Sequence, residues 1–217
     1  MGAIMKAIKW GSQFKKEDVY RPGSFNPGLF AMSKEKTKRL RPGFYNPLRT
    51  VFASSLDNPG YIEALLNDGD IQTAVVVSMD PLLVSCYSED MDAVILQCYP
   101  TELGRARGWE LGTRLVATVK YNGYGTVKKN KDIYPGPDTD PSYKSFGPVI
   151  ADLYTDEEEY LARKKSEIPE ELWERAAYLG KQYMAEHPGV ARNGLGVCFK
   201  DATAIESIKF DPKSRFD

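Results

Sequence analysis

The densest run of apolar positions lies between residues 73 and 99. TAVVVSM (73–79), LLVSCYS (82–88) and AVILQCY (93–99) are rich in β-branched and aromatic residues. Asp80-Pro81 and Glu89-Asp90-Met91-Asp92 separate them as turns. The first and third runs are almost continuously apolar, the pattern of strands covered on both faces. The connections are short, which favours antiparallel pairing. If the 89–92 turn sets Ser88 against Ala93, Cys86 falls opposite Ile95 and Cys98 opposite Leu83. The two thiols then do not face each other and act as small buried hydrophobes.

Other segments follow different periods. DNPGYIEALLNDG (57–69) reads as a helix capped by Asn58, with Pro59 in its first turn and Gly69 at its end; Ile62, Leu65 and Leu66 form its buried side. SKEKTKRL predicts a short basic helix with Ser33 as its N-cap. Thr155 and Glu158 have capping-box spacing before DEEEYLARKK. PEELWERAAYLGKQYMAEH begins at Pro169 and carries an apolar stripe of Leu172, Trp173, Ala176, Ala177, Gly180, Tyr183 and Met184. In KYNGYGTVKK, Asn122-Gly123 predicts a two-residue hairpin turn that sets Tyr121 across from Tyr124. Residues 130–148 read as a long loop, VIADLY (149–154) as a strand, and LGVCFK and AIESIKF as one or two late strands. Strands and helices are segregated along the chain. This predicts an α+β fold: a mostly antiparallel sheet, open or curled into a small barrel, packed by C-terminal helices.

The N-terminal quarter differs. RPGSFNP (21–27) returns as RPGFYNP (41–47). Pro-Gly and Asn-Pro pairs in both copies enforce turns and break helices. Two copies are too few for a solenoid. The pattern fits two similar loops that lock Phe25 and Tyr45 on the body. The alternative is a paired recognition surface, with Arg21 and Arg41 beside Phe25, Phe44 and Tyr45. Residues 1–50 hold 11 Lys and Arg against 3 Asp and Glu, a net of +8, while residues 51–217 hold 18 against 27, a net of −9. The chain therefore divides into a basic, loop-rich arm (1–50) and a single acidic α+β domain (51–217). Such an arm suits an acidic partner, nucleic acid included, or the acidic body itself.

Composition narrows the chemistry. No apolar run approaches 18 residues, so no membrane span is expected. Cys86, Cys98 and Cys198 are odd in number and lack CxxC spacing, which fits a reducing, cytoplasmic location. His187 is the only histidine and stands before Pro188, at a helix end where the dipole favours it. No GxSxG elbow, phosphate loop or zinc spacing accompanies it, and neither a metal nor a cofactor is expected. Tyr121, Tyr124 and Tyr134 interleave with Lys120, Lys128, Lys129 and Lys131, as in stacking sites for single strands; a solvated hairpin tip produces the same pattern.

The reading that follows is a non-enzymatic module that binds another protein or an acidic partner, homo-oligomerisation included. Its candidate contacts are Arg21, Arg41, Phe44, Tyr45, Tyr121, Tyr124, Lys128 and Lys129. One alternative is a small hydrolase or transferase with a cleft near the 130–148 loop. Another is a nucleic-acid binder that uses the basic arm.

Overall fold

The computed structural model describes residues 26–45, 58–125, 128–196 and 199–216. Arg21, Phe25 and Cys198 lie outside the described residues. The helices are α1 (Lys34–Leu40), α2 (Pro59–Asp68), α3 (Thr101–Ala106), α4 (Ala151–Tyr154), α5 (Glu158–Glu167) and α6 (Glu170–Glu186). The strands are β1 (Asp70–Met79), β2 (Leu82–Ser88), β3 (Ala93–Tyr99), β4 (Arg114–Tyr124), β5 (Tyr134–Pro135), β6 (Tyr143–Ile150), β7 (Val190–Asn193) and β8 (Thr203–Ala204).

They form one sheet of order β6-β4-β1-β2-β3-β7-β8, with β5 also on the β3 edge. β3 and β7 run parallel, and the other strand pairs are antiparallel. The three central apolar runs are strands, and Cys86 pairs with Ile95 and Cys98 with Leu83 as their register predicts. Both thiols are buried and free. The continuous apolarity of β1 and β3 has a direct cause, since each face has a cover. On one face Trp173, Ala176, Leu179 and Tyr183 of α6 pack on Val75, Val77, Leu83, Val94 and Leu96. The other face closes over a larger core that includes Leu65, Leu66, Val84, Ile95, Val116, Phe146 and Leu153. Phe30, Leu40 and Phe44 from the segment preceding α2 belong to that core.

The local caps follow sequence. Ser33 Oγ accepts from Lys36 N, and Asn58 Oδ1 accepts from Tyr61 N at the start of α2. The sheet curls so that β3 and β7 approach β6. Gln97 Nε2 donates to Pro148 O at 3.1 Å, and Arg192 donates to Phe146 O at 2.7 Å and Ser145 Oγ at 2.9 Å. Arg192 and Asp132 form a buried two-point ion pair at 2.6 and 3.0 Å.

Several local expectations are corrected. Asn122-Gly123 is not a hairpin turn. β4 runs through it to Tyr124, and its partner is β6, with Asn122 opposite Ser145 and Tyr124 opposite Tyr143. Gly123 does take a positive φ of 67°, but its missing Cβ admits Lys144, whose own Cβ would lie 2.7 Å from one added there. The glycine serves a close strand approach rather than a reversal. The 130–148 stretch is not all loop, because β5 and most of β6 come from it. The strand expected at 149–154 ends at Ile150, and α4 follows. Thr155 caps differently too: its Oγ accepts from Glu157 N, while Glu157 Oε2 is drawn to Ala31 N at 2.7 Å. The late strands fall elsewhere: β7 precedes LGVCFK, β8 shares only Ala204 with AIESIKF, and a short 3-10 turn occupies Ile205–Ser207.

Candidate binding surface

The free ends of β4 and β6 gather three tyrosines. Tyr121 and Tyr124 share β4, and Tyr143 of β6 lies between their rings, at centroid distances of 4.8 Å and 5.6 Å. Tyr121 and Tyr143 are buried, whereas Tyr124 is 54% exposed. The stack thus runs from the core to solvent along one strand end. Aromatic pairs at these distances hold one another in place, so Tyr124 stands on a fixed base.

Lysines surround it. Lys144 is exposed beside Gly123, and Asn130 N donates to Lys144 O at 3.0 Å, which lays the 128–131 segment along the start of β6. Lys128 and Lys131 are exposed on that segment. Lys129 is different. Its Nζ donates to Asp140 O and, at 3.3 Å, to Tyr143 O. Burial lowers its pKa, with Asp140 acting in the other direction. Lys129 is therefore a tie between the loop and β6 rather than a free contact.

Behind the tyrosines lies a buried acidic pair. Asp70 opens β1 and Asp90 sits in the β2–β3 turn; they are 1% and 5% exposed. Tyr121 OH donates to Asp90 Oδ2 at 2.8 Å and lies 3.0 Å from Ser88 Oγ. Gln72 Nε2 donates to Asp70 Oδ2 at 2.8 Å, and Asn26 N donates to Asp70 Oδ1 at 2.7 Å. Burial pushes the Asp70 carboxyl up to about 8, and the neighbouring Asp90 charge adds to the rise. The Asp70 carboxyl therefore keeps its proton at neutral pH. Burial likewise raises the Tyr121 phenol well above its usual value, reinforced by Asp90 and Asp70.

The loop carrying the lysines is pinned at its other end. Asp92 accepts from Tyr87 OH at 2.9 Å, from Asp138 N at 2.8 Å and from both Nε and Nη2 of Arg175 at 3.1 and 3.0 Å. Burial works to raise the Asp92 pKa, but these donors outweigh it and leave the group below its ordinary value. The stretch expected to be a long loop is thus short, anchored pieces.

The remaining predicted contacts form a separate group. The Arg41 guanidinium stacks 3.8 Å from the Phe44 ring centroid, and the Phe44 and Tyr45 rings are 6.0 Å apart. Phe44 is buried and Tyr45 half-buried. Their neighbour α1 is tied to α4 through Ser33 N and Tyr154 O at 2.7 Å, beyond the Arg114 end of β4. Tyr124 stands at the opposite end of that strand. The structure therefore joins Tyr121, Tyr124, Lys128 and Lys129 but not Arg41, Phe44 or Tyr45 to them.

Sequence reasoning missed Asp70, Asp90 and Tyr143. Asp70 and Gln72 did carry a signal, as polar residues at alternate positions leading into an apolar strand. Among the described residues no three His, Cys, Asp or Glu side chains gather as metal ligands, and no helix is long and apolar enough to cross a membrane. The chain matches no family model, no curated protein and no solved structure.

Proposed function

We propose that this protein is a non-enzymatic binding module whose contact surface is the Tyr124 end of the sheet, and that its partner is an acidic segment of another protein. The observation that carries this reading is Tyr124 itself. More than half of its ring is exposed, it rests on two buried tyrosines, and exposed lysines flank it. Rigid aromatic anchors beside cations are the usual energetic centres of interfaces. A short acidic segment suits the patch better than a long nucleic acid, because Lys128, Lys131 and Lys144 can balance a few negative charges, whereas an extended polyanion must also run over a body that is net −9 from residue 51 onward. Asp70 has the raised pKa of a catalytic acid, but it and Asp90 are buried and hydrogen-bonded to Asn26, Gln72 and Tyr121, which favours binding over hydrolysis or group transfer.

The test is titration with a poly-glutamate peptide and, separately, with a single-stranded oligonucleotide at several salt concentrations. The peptide is expected to bind, with Tyr124→Ala weakening it roughly tenfold. Lys128→Glu with Lys144→Glu should remove the salt dependence. Preference for the oligonucleotide, with a steep salt slope, would replace this reading with the nucleic-acid one. Peptide binding untouched by all three substitutions would move the surface elsewhere.

A further inference from the structure

A cavity of about 530 Å³ lies where β3 ends, remote in sequence and strand position from Tyr124. Its walls include Pro81, Tyr99, Phe210 and Phe216, together with the carboxylates of Glu102 and Asp211. No lysine, arginine or histidine is among its lining residues. We propose that this cavity binds an organic ammonium ion with an apolar body.

The walls are fixed before any ligand arrives. Tyr99 is 2% exposed, its hydroxyl donates to Gln97 Oε1 at 2.8 Å, and its ring lies against Gly194, where an added Cβ would sit 2.3 Å away. The tail carrying Phe210 and Phe216 is tied down by Ile205 N to Gly189 O at 2.8 Å, Ser214 Oγ to Leu40 O at 2.7 Å and Arg215 N to Arg39 O at 2.8 Å. Phe210 and Phe216 are half-buried against the core, which leaves part of each ring to the cavity.

The charges select the ligand. Asp211 Oδ1 accepts from Lys213 N at 2.9 Å, and among the described residues neither Asp211 nor Glu102 forms an ion pair. Two carboxylates with no ion-pair partner among the described residues disfavour an anion. They are too few for a hard metal cation, which takes six to eight oxygens. An ammonium group answers both features at once: carboxylates balance its charge, and the partly exposed rings of Phe210 and Phe216 attract it. The volume falls in the range of small-molecule sites, so the apolar walls have an apolar body to cover.

The experiment is calorimetric and amide-NMR titration of the full chain with phenethylammonium, with 2-phenylethanol as the neutral analogue and phenylacetate as the anionic one. The cation is expected to bind with amide shifts around residues 99–102 and 210–216, and both analogues to bind roughly tenfold more weakly or less. Glu102→Gln with Asp211→Asn should weaken the cation by a similar factor, and Glu102→Gln alone by part of it. An acetyl-trimethyllysine peptide distinguishes the source. Tighter binding than the free amine identifies a modified protein tail as the ligand, and weaker binding a free metabolite. Equal affinity for 2-phenylethanol would overturn the proposal. So would indifference to the carboxylate substitutions, or no saturable shift at about 10 mM cation.

Discussion

Asp70 shows how one side chain can set the pH response of the molecule. Its carboxyl holds a proton in the folded protein that an unfolded chain would release near pH 4, because burial and Asp90 oppose its ionisation. The folded state therefore binds more protons than the unfolded state between that value and about 8. Stability falls as pH rises through this window, by at most about 1.4 kcal/mol per pH unit. Glu89, raised by burial and by Asp90 and Glu171, acts with the same sign. Urea denaturation at pH 5, 6, 7 and 8 should show a midpoint that declines steadily. Asp70→Asn should flatten that decline, because Asn keeps an oxygen for Asn26 N and cannot ionise. A wild-type midpoint that is level or rises across the range would contradict the raised Asp70 carboxyl. Sequence alone could not reveal the pair, since Asp70 and Asp90 meet only when the β2–β3 turn folds back over the start of β1.

Helix α6 and the sheet beneath it set the element scale. Gly180 lies in the helix interior, where alanine is intrinsically better by about 1 kcal/mol. An added Cβ, however, would lie 2.4 Å from Ser85 Oγ and 2.5 Å from Ser85 Cβ. Ser85 is held there by its bond to Ala176 O at 2.7 Å. Gly180→Ala should therefore destabilise the protein by roughly 1–3 kcal/mol despite its helix propensity. Thermal denaturation decides the sign. The caps at Ser33 and Asn58, the central strands and the stripe of α6 were legible because each depends on residues within a few positions. β6 was not. Its sequence, YKSFGPVI, breaks alternation with Gly147 and Pro148, and its partners lie 19 to 33 residues back on β4, from Tyr124 opposite Tyr143 to Ala117 opposite Ile150. Asn122-Gly123 misled for the same reason: a positive φ serves either a reversal or a close approach, and only the distant strand chooses. Of the candidate surface, Tyr121, Tyr124 and the lysines were visible as local composition. Tyr143 became part of it only through cross-strand register.

At the scale of the whole molecule, the curl of the sheet depends on Arg192. Its guanidinium is 1% exposed and links β7 to Asp132, Ser145 and the carbonyl of Phe146. Asp132 also accepts from Ala202 N at 2.9 Å, so one ion pair fastens β6, β7 and the segment leading into β8. Removing either partner strands a buried charge. Arg192→Ala or Asp132→Ala should each cost about 3–5 kcal/mol. Arg192→Lys should recover only part of that, since an ammonium cannot make the two-point contact. Equilibrium denaturation of the three variants checks the order, and a fully stable lysine variant would show that charge alone suffices. The same arrangement limits how the protein can meet others. β6 presents Pro148, which has no amide hydrogen, and its carbonyls are taken by Gln97 and Arg192. At the opposite margin β8 has two residues. Among the described residues, neither border offers a long run of unpaired main chain on which a foreign strand could extend the ladder. Such borders favour recognition through side chains over strand addition, and they disfavour edge-to-edge stacking of one copy on the next.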